Sequence, residues 1–219
     1  MNLESALDPE QLRAVRATDG PVLVLAGPGS GKTRVLTHRV AWLVGAADVR
    51  PWRIMAVTFT NKAAGEMKDR LEGLIGAEAL GRLTIGTFHS ICVRVLRREG
   101  GRRGFDGRFV IFDTNDQLRT IKRVLEDLEI DNKKWRPGSV LGEISRAKNS
   151  MLLPGAYQPD GYWQEVVARL YERYHALLRA SNALDFDDLL METVFLLRDD
   201  PSVLRRYRER YRHIVVDEF

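Results

Sequence analysis

Short unbroken apolar runs alternate with stretches of helical spacing over the first hundred residues. Val22-Leu23-Val24-Leu25-Ala26, after Pro21, is too short for a helix and reads as a buried strand. Ile54-Met55-Ala56-Val57-Thr58 and Leu83-Thr84-Ile85-Gly86-Thr87 read the same way. Each run is followed by an amphipathic stretch. Val35, Leu36, Val40 and Leu43 share one helix face, as do Ala63, Met67, Leu71 and Leu74, and then Ile91, Cys92, Val95 and Leu96. Ahead of them lies a capped helix: Asp8 as N-cap, Pro9 at the first helical position and Gln11 at the capping-box position, with a stop at Asp19-Gly20. Strand and helix in strict alternation predict a parallel sheet with helices on its faces.

The pattern then changes. Residues 100–108 are rich in Gly and Arg and read as a linker, and Phe109–Phe112 as a brief extended piece. From about Asn115 to about Phe195 nearly everything reads helical. Leu118, Ile121, Leu125 and Leu128 form one stripe, and Val166, Val167, Leu170, Tyr174, Leu177 and Leu178 another. Pro137 falls in the first turn of a short helix, and either Asp185 or Asp187 starts a later one. A last helix is expected from about Ser202 to Tyr211. Ile214-Val215-Val216-Asp217-Glu218-Phe219 has the character of a buried strand ending in two acids. The helical block therefore reads as an insertion into an α/β unit, whose sheet the last strand rejoins.

The strongest chemical signal is Ala26-Gly27-Pro28-Gly29-Ser30-Gly31-Lys32-Thr33, between a predicted strand and a predicted helix. Glycines let such a loop turn its backbone N–H groups toward phosphate oxygens, and the helix N-terminus adds partial positive charge. Lys32 supplies a charge for the β and γ phosphates, and Thr33 a hydroxyl for magnesium. Asp217 and Glu218 end a strand where one carboxylate can serve the magnesium shell and the next can orient and deprotonate a water. ATP hydrolysis is the chemistry this pairing implies.

Composition narrows the alternatives. The 219 residues are 44% hydrophobic and 29% charged, ordinary for a globular chain and unlike a disordered one. A single cysteine, Cys92, excludes a disulfide scaffold and a structural zinc site and reads as core. No apolar run is long enough to span a bilayer, and the start MNLESALDPEQ does not read as a signal peptide, so a cytoplasmic location away from membranes is expected. The net charge of +4 is small but unevenly distributed. Arg94, Arg97, Arg98, Arg102, Arg103 and Arg108 crowd one segment, and Arg205, Arg206, Arg208, Arg210 and Arg212 another. Each run reads either as a solvated face or as a phosphate contact.

Taken in order, the motifs resemble the N-terminal part of a superfamily 1 DNA helicase of the UvrD/Rep/PcrA type, over essentially the whole chain. The carriers are Leu7-Asp8-Pro9-Glu10-Gln11, the loop from Ala26 to Thr33 with Arg34 after it, and Thr58-Phe59-Thr60-Asn61-Lys62-Ala63-Ala64. Further carriers are Thr84 to Ser90, Ile144 to Asn149, Leu184 to Leu189 and Val215 to Phe219.

The resemblance implies an α/β fold: a RecA-like P-loop parallel sheet, incomplete here, with an inserted all-helical subdomain. The sheet subdomain would span 1–104 and 184–219, and the insertion 105–183. It implies ATP and Mg2+ as cofactors. Ala26 to Thr33 would hold the nucleotide, with Gln11 at the adenine edge and Arg34 on the base side. Thr33 and Asp217 would hold magnesium; Lys32, Asp217 and Glu218 would be catalytic. Phe59, Thr60, Asn61, Lys62, Thr87, Phe88 and His89 would contact single-stranded DNA. Independently of the resemblance, an aromatic at a strand end can stack on a base, and Lys62 with nearby hydroxyls can meet phosphates; equally, each Phe can pack a helix onto the sheet.

The resemblance further implies a parent that moves 3′ to 5′ on single-stranded DNA, with a second motor domain beyond Phe219. On that expectation the 219 residues alone would not unwind DNA, would hydrolyse ATP barely or not at all, and could self-associate through a truncated sheet surface. The alternatives are a helicase–nuclease subunit, and an ATP- or DNA-binding module without turnover.

Overall fold

The computed structural model describes residues 6–17 and 20–218. Asp19 and Phe219, where a helix stop and the end of the last strand were expected, lie outside them. The chain divides into two compact units, one made of residues 1–90 and 204–219, the other of residues 91–203.

The first unit is built on a parallel sheet of three strands, in the order β2, β1, β5 among the described residues: β1 (Ile54–Thr58), β2 (Thr84–Thr87) and β5 (His213–Val216). Met55 pairs with Thr84 on one side and with Ile214 on the other. The flanking helices are α1 (Pro9–Arg16), α2 (Lys32–Gly45) and α3 (Asn61–Arg82). Their predicted faces supply the core: Val40 and Leu43 from α2 and Met67 and Leu71 from α3 close over Ile54, Ala56, Ile85 and Val215. α3 kinks at Gly76, whose φ of 79° suits a residue without a Cβ. The capping box of α1 is present: Asp8 accepts from the Gln11 backbone, and Gln11 Oε1 accepts from the Asp8 backbone.

The first apolar run departs from expectation. Residues 21–27 form no strand. Leu23 and Leu25 are 67% and 86% exposed, and only Val24 packs, against Leu7, Val15 and Val35. An apolar run becomes a buried parallel strand only when neighbouring strands take up its backbone groups. No strand described here pairs with it, and Ile214 on the edge strand β5 is itself 61% exposed.

The second unit holds most of α4 (Phe88–Glu99) and the helices α5 (Thr114–Asp127), α6 (Pro137–Asn149), α7 (Tyr162–Ala180) and α8 (Phe186–Asp199). The helix α9 (Pro201–Arg210) starts in this unit and ends in the first. Its core joins Ile121, Val124 and Leu125 of α5 to Val140 and Ile144 of α6 and Leu170, Tyr171 and Tyr174 of α7.

Two corrections fall in this unit. Residues 100–108 are not a loose linker. Gly100–Arg103 form a 3-10 turn, Phe105 and Phe109 are buried edge to face, and Arg103 pairs with the fully buried Glu192. The helical block is also interrupted by β4 (Ala183–Asp185), which pairs in parallel with β3 (Val110–Phe112). Three residues give too little period to read a strand from sequence.

Of the two candidates for the start of α8, the structure selects Asp185, which makes a reciprocal capping box with Asp188. Both acids are buried with Lys148, whose ammonium lies 2.6 Å from Asp185 and 2.7 Å from Asp188. The Tyr174 hydroxyl donates to the same Asp185 oxygen at 2.9 Å. Burial would lower the Lys148 pKa, but the two carboxylates outweigh it and hold the amine charged. Burial pushes Asp188 up while the ammonium holds Asp185 down against its own burial, so Asp185 is the acid that keeps its charge against Lys148 to lower pH.

Candidate nucleotide and nucleic-acid site

The strands of the three-stranded sheet run parallel, so their carboxyl ends share one edge, the usual place for a ligand in an open α/β sheet. Phe59 and Thr60 follow β1, Phe88 and His89 follow β2, and Asp217 follows β5. The register sets Thr58 beside Thr87, and the Asp217 backbone N–H continues the ladder to the Val57 carbonyl at 2.9 Å.

The glycine-rich segment arrives at this edge at the start of α2. Ser30 turns back on Gly27 through its backbone N–H and its hydroxyl. Gly31 is the N-cap of α2 with φ of 81°, and a Cβ there would also come within 3.2 Å of Gln11 Nε2. Lys32 Nζ donates to the carbonyls of Ala26 and Gly27 at 3.0 and 2.8 Å, folding the lysine over its own loop. Gln11 Nε2 donates to the Ser30 carbonyl at 3.0 Å, while Oε1 serves the capping box. Both ends of that amide are therefore engaged, and the adenine-edge and capping readings compete for the same atoms. Pro28, Gly29 and Arg34 are exposed.

The loop and the terminal acids meet. Thr33 Oγ1 donates to Asp217 Oδ2 at 3.4 Å, although 184 positions separate the two residues. Asp217 is 7% exposed; Glu218 is exposed, with a left-handed φ of 61° that turns the chain directly after the acid. A hydroxyl and a carboxylate side by side are hard oxygen donors of the kind Mg2+ takes, with its other positions left to water and phosphate. These residues fit the ion.

Beside them, the rings of Phe59 and Phe88 pack at 5.3 Å with 59° between their planes. Phe59 keeps 57% of its surface exposed, so packing and exposure coexist at one residue. Thr60 caps α3 through the Ala63 N–H, and Asn61 and Lys62 are exposed. Lys62 lies 4.0 Å from Glu66, too loose and solvated a pair to hold it. Thr87 is buried, and its hydroxyl oxygen accepts from the Ser90 N–H; His89 is half-buried. Sequence reasoning missed Thr58, whose hydroxyl donates to the Thr60 carbonyl and fixes the turn that presents Phe59. A Thr-x-Thr at a strand-to-helix junction is the local pattern that could have found it.

A parallel sheet with flanking helices, a glycine-rich loop beside a strand-end acid and a separate helical unit define a mixed α/β protein of the RecA-like P-loop class. The model of the UvrD/REP helicase N-terminal domain matches residues 7–219, and the chain belongs to that family. Among similar proteins are those named ATP-dependent DNA helicase PcrA. That of Bacillus subtilis (strain 168) is 48% identical over 219 residues, covering 99% of this chain and 30% of that protein. That of Leuconostoc citreum is 46% identical over 99% of this chain and 29% of that protein. That of Staphylococcus aureus (strain Mu50 / ATCC 700699) is 46% identical over 97% of this chain and 29% of that protein. The chain thus spans under a third of the length of these relatives. Among the described residues no helix is long and apolar enough to cross a membrane.

Proposed function

We propose that the chain is the ATP-binding N-terminal segment of a cytoplasmic DNA helicase that hydrolyses ATP to move 3′ to 5′ on single-stranded DNA. The observation that carries this reading is the meeting of Thr33 with Asp217 on the same sheet edge as Phe59. The sheet subdomain is taken as 1–104 and 184–219, with 105–183 inserted.

ATP with Mg2+ would supply the transferable phosphoryl group. Ala26 to Thr33 would cradle its phosphates, with Gln11 and Arg34 toward the base and Thr33 and Asp217 holding the ion. Lys32 must first leave the Ala26 and Gly27 carbonyls, exchanging two neutral acceptors for phosphate oxygens. Gln11 must likewise release one end of its amide to read adenine. Glu218, exposed and next to the magnesium acid, would take the proton of the attacking water.

Phe59, more than half exposed, would offer ring surface on which a base can stack without its identity being read, and Lys62, only loosely paired with Glu66, a charge for a phosphate; Thr60, Asn61, Thr87, Phe88 and His89 would complete that edge. Movement requires a second motor domain that opens and closes on the first, so the partners are single-stranded DNA and further domains of the same protein. The 219 residues alone would not unwind DNA and would hydrolyse ATP barely or not at all, and the exposed apolar side chains of the 22–26 run and the β5 edge give them a surface for self-association.

The test is ATP hydrolysis with and without single-stranded DNA, in the 219-residue chain and in the full-length protein. Turnover is expected only in the latter, reduced at least a hundredfold by Lys32→Ala. DNA-stimulated turnover by the 219 residues that Lys32→Ala abolishes would refute the division of labour. A full-length protein indifferent to Lys32→Ala would refute the site.

A further inference from the structure

The other end of the sheet carries a cavity that the nucleotide site does not use. β1 and β5 begin together, with Ile54 beside His213 and the Arg212 N–H donating to the Arg53 carbonyl at 2.9 Å. A 3-10 turn, Pro51–Arg53, leads into β1, so Arg50 and Arg53 sit at the start of one strand and Arg212 at the start of its neighbour. These three arginines, with Asp48, Val49 and His213, line a cavity of about 550 Å³. That volume lies in the range of small-molecule sites, roughly 300–1,000 Å³. A five-residue strand at about 3.3 Å per residue puts this cavity about 15 Å from the Asp217 edge.

All three arginines are exposed. Arg102, Arg103, Arg173, Arg179 and Arg198 each meet a carboxylate. Arg50, Arg53 and Arg212 meet none among the described residues, although Asp48 lines the same cavity. The lining therefore carries three guanidiniums against one carboxylate, a surplus of 3 − 1 = +2 with His213 neutral. Arg50 rests on the Trp52 ring at 5.2 Å, which limits its freedom and lowers the entropy lost when it binds. Fork-shaped guanidinium donors among the lining of one concavity suit tetrahedral oxyanions, which accept paired N–H···O bonds.

We propose that this cavity at the amino end of the sheet is a binding site for a small oligophosphate, two or more linked phosphate groups, separate from the glycine-rich loop. One phosphate engages Arg53 and Arg212 across the β1–β5 junction, and the next engages Arg50. Asp48 opposes the anion and limits its affinity, unless the ligand brings a hydroxyl or N–H for that carboxylate. The concave form favours a compact ligand over an extended nucleic-acid backbone. The proposal does not depend on the nucleotide site and is tested with that site disabled.

Inorganic tripolyphosphate is titrated calorimetrically into the 219-residue chain carrying Lys32→Ala, which removes the loop's phosphate-binding charge. One saturable site is expected, weakened at least tenfold by adding Arg53→Gln and Arg212→Gln, and weakened by raised salt. Adding Asp48→Asn instead should tighten binding about threefold, since it removes the carboxylate in the cavity lining; this variant reads out the site even if the double replacement disturbs folding. Absence of saturable binding, or binding indifferent to Asp48→Asn and to the arginine replacements, would overturn the site. Equal affinity for a hexaglutamate peptide or a single-stranded oligonucleotide would overturn the oligophosphate assignment.

Discussion

Lys32 and Lys148 sit in opposite surroundings, and the contrast describes the two units. Lys32 belongs to the sheet unit, in a loop whose preceding apolar run is exposed, and its ammonium is met by two neutral carbonyls. Lys148 belongs to the helical unit, has no exposed side-chain surface, and is met by two carboxylates. Neutral acceptors can be exchanged for a phosphate at little cost. Two buried carboxylates cannot lose their cation without leaving charge in a medium that does not solvate it. On the proposed function, Lys32 is kept where exchange is cheap, whereas Lys148 is kept where exchange is prohibitive.

The sharpest way to break this contrast is Lys148→Met. It leaves Asp185 and Asp188 buried without a counter-charge, and a loss of about 3–5 kcal/mol is expected by chemical denaturation. Adding Asp188→Asn should restore part of it, since one acid can then remain hydrogen-bonded to Tyr174. By contrast Lys32→Ala should leave the unfolding transition nearly unmoved. Equal losses from the two lysine variants would end the comparison.

His175 sharpens it next. Burial, then the charges of Arg179 and Lys148, lower its pKa to about 4, and its Nδ1 is buried without a hydrogen bond. A depressed pKa means that the unfolded chain takes up the proton first. The contribution is therefore intact above about pH 6.5 and is lost as the pH falls toward 4. Between those limits the chain should lose about 2 kcal/mol relative to its His175→Gln variant, after allowance for partial solvent screening. Parallel stability curves for the two proteins would contradict the assignment.

Smaller effects are expected in the sheet unit. Asp8→Ala removes the cap of α1 and its reciprocal bond with Gln11, costing about 1 kcal/mol in thermal or denaturant unfolding. Leu25→Ser, at a residue 86% exposed, should change stability by less than about 0.5 kcal/mol. A loss of 2 kcal/mol or more there would mean that the run is buried in solution.

Local rules were legible in the sequence where the interactions themselves are local. The capping box at Asp8 and Gln11 spans three residues, and the stripes of α3, α5 and α7 follow from spacing alone. The phosphate loop and the acidic pair were legible as motifs. Their pairing was inferred from complementary chemistry and from the return of the last strand to the sheet, since no local rule joins Thr33 to Asp217 across 184 positions. The arginine run at 94–108 read as a solvated face or a phosphate contact. Much of it is instead spent inside the protein, on Glu192, Asp199, Asp200 and the Phe109 ring. The three acids lie 89 to 98 positions away, beyond any window of periodicity.

Most helical faces, the cap of α1 and the motifs at the strand ends were determined by the sequence itself, because each depends on residues within one or two turns of chain. Tertiary structure decided which of two acids caps α8, which arginines keep free charge, and that Val22–Ala26 stays exposed while Ile54–Thr58, of similar composition, becomes the centre of a sheet. The reason is the same in each case: a strand and a buried charge are completed only by partners that the fold brings from far along the chain.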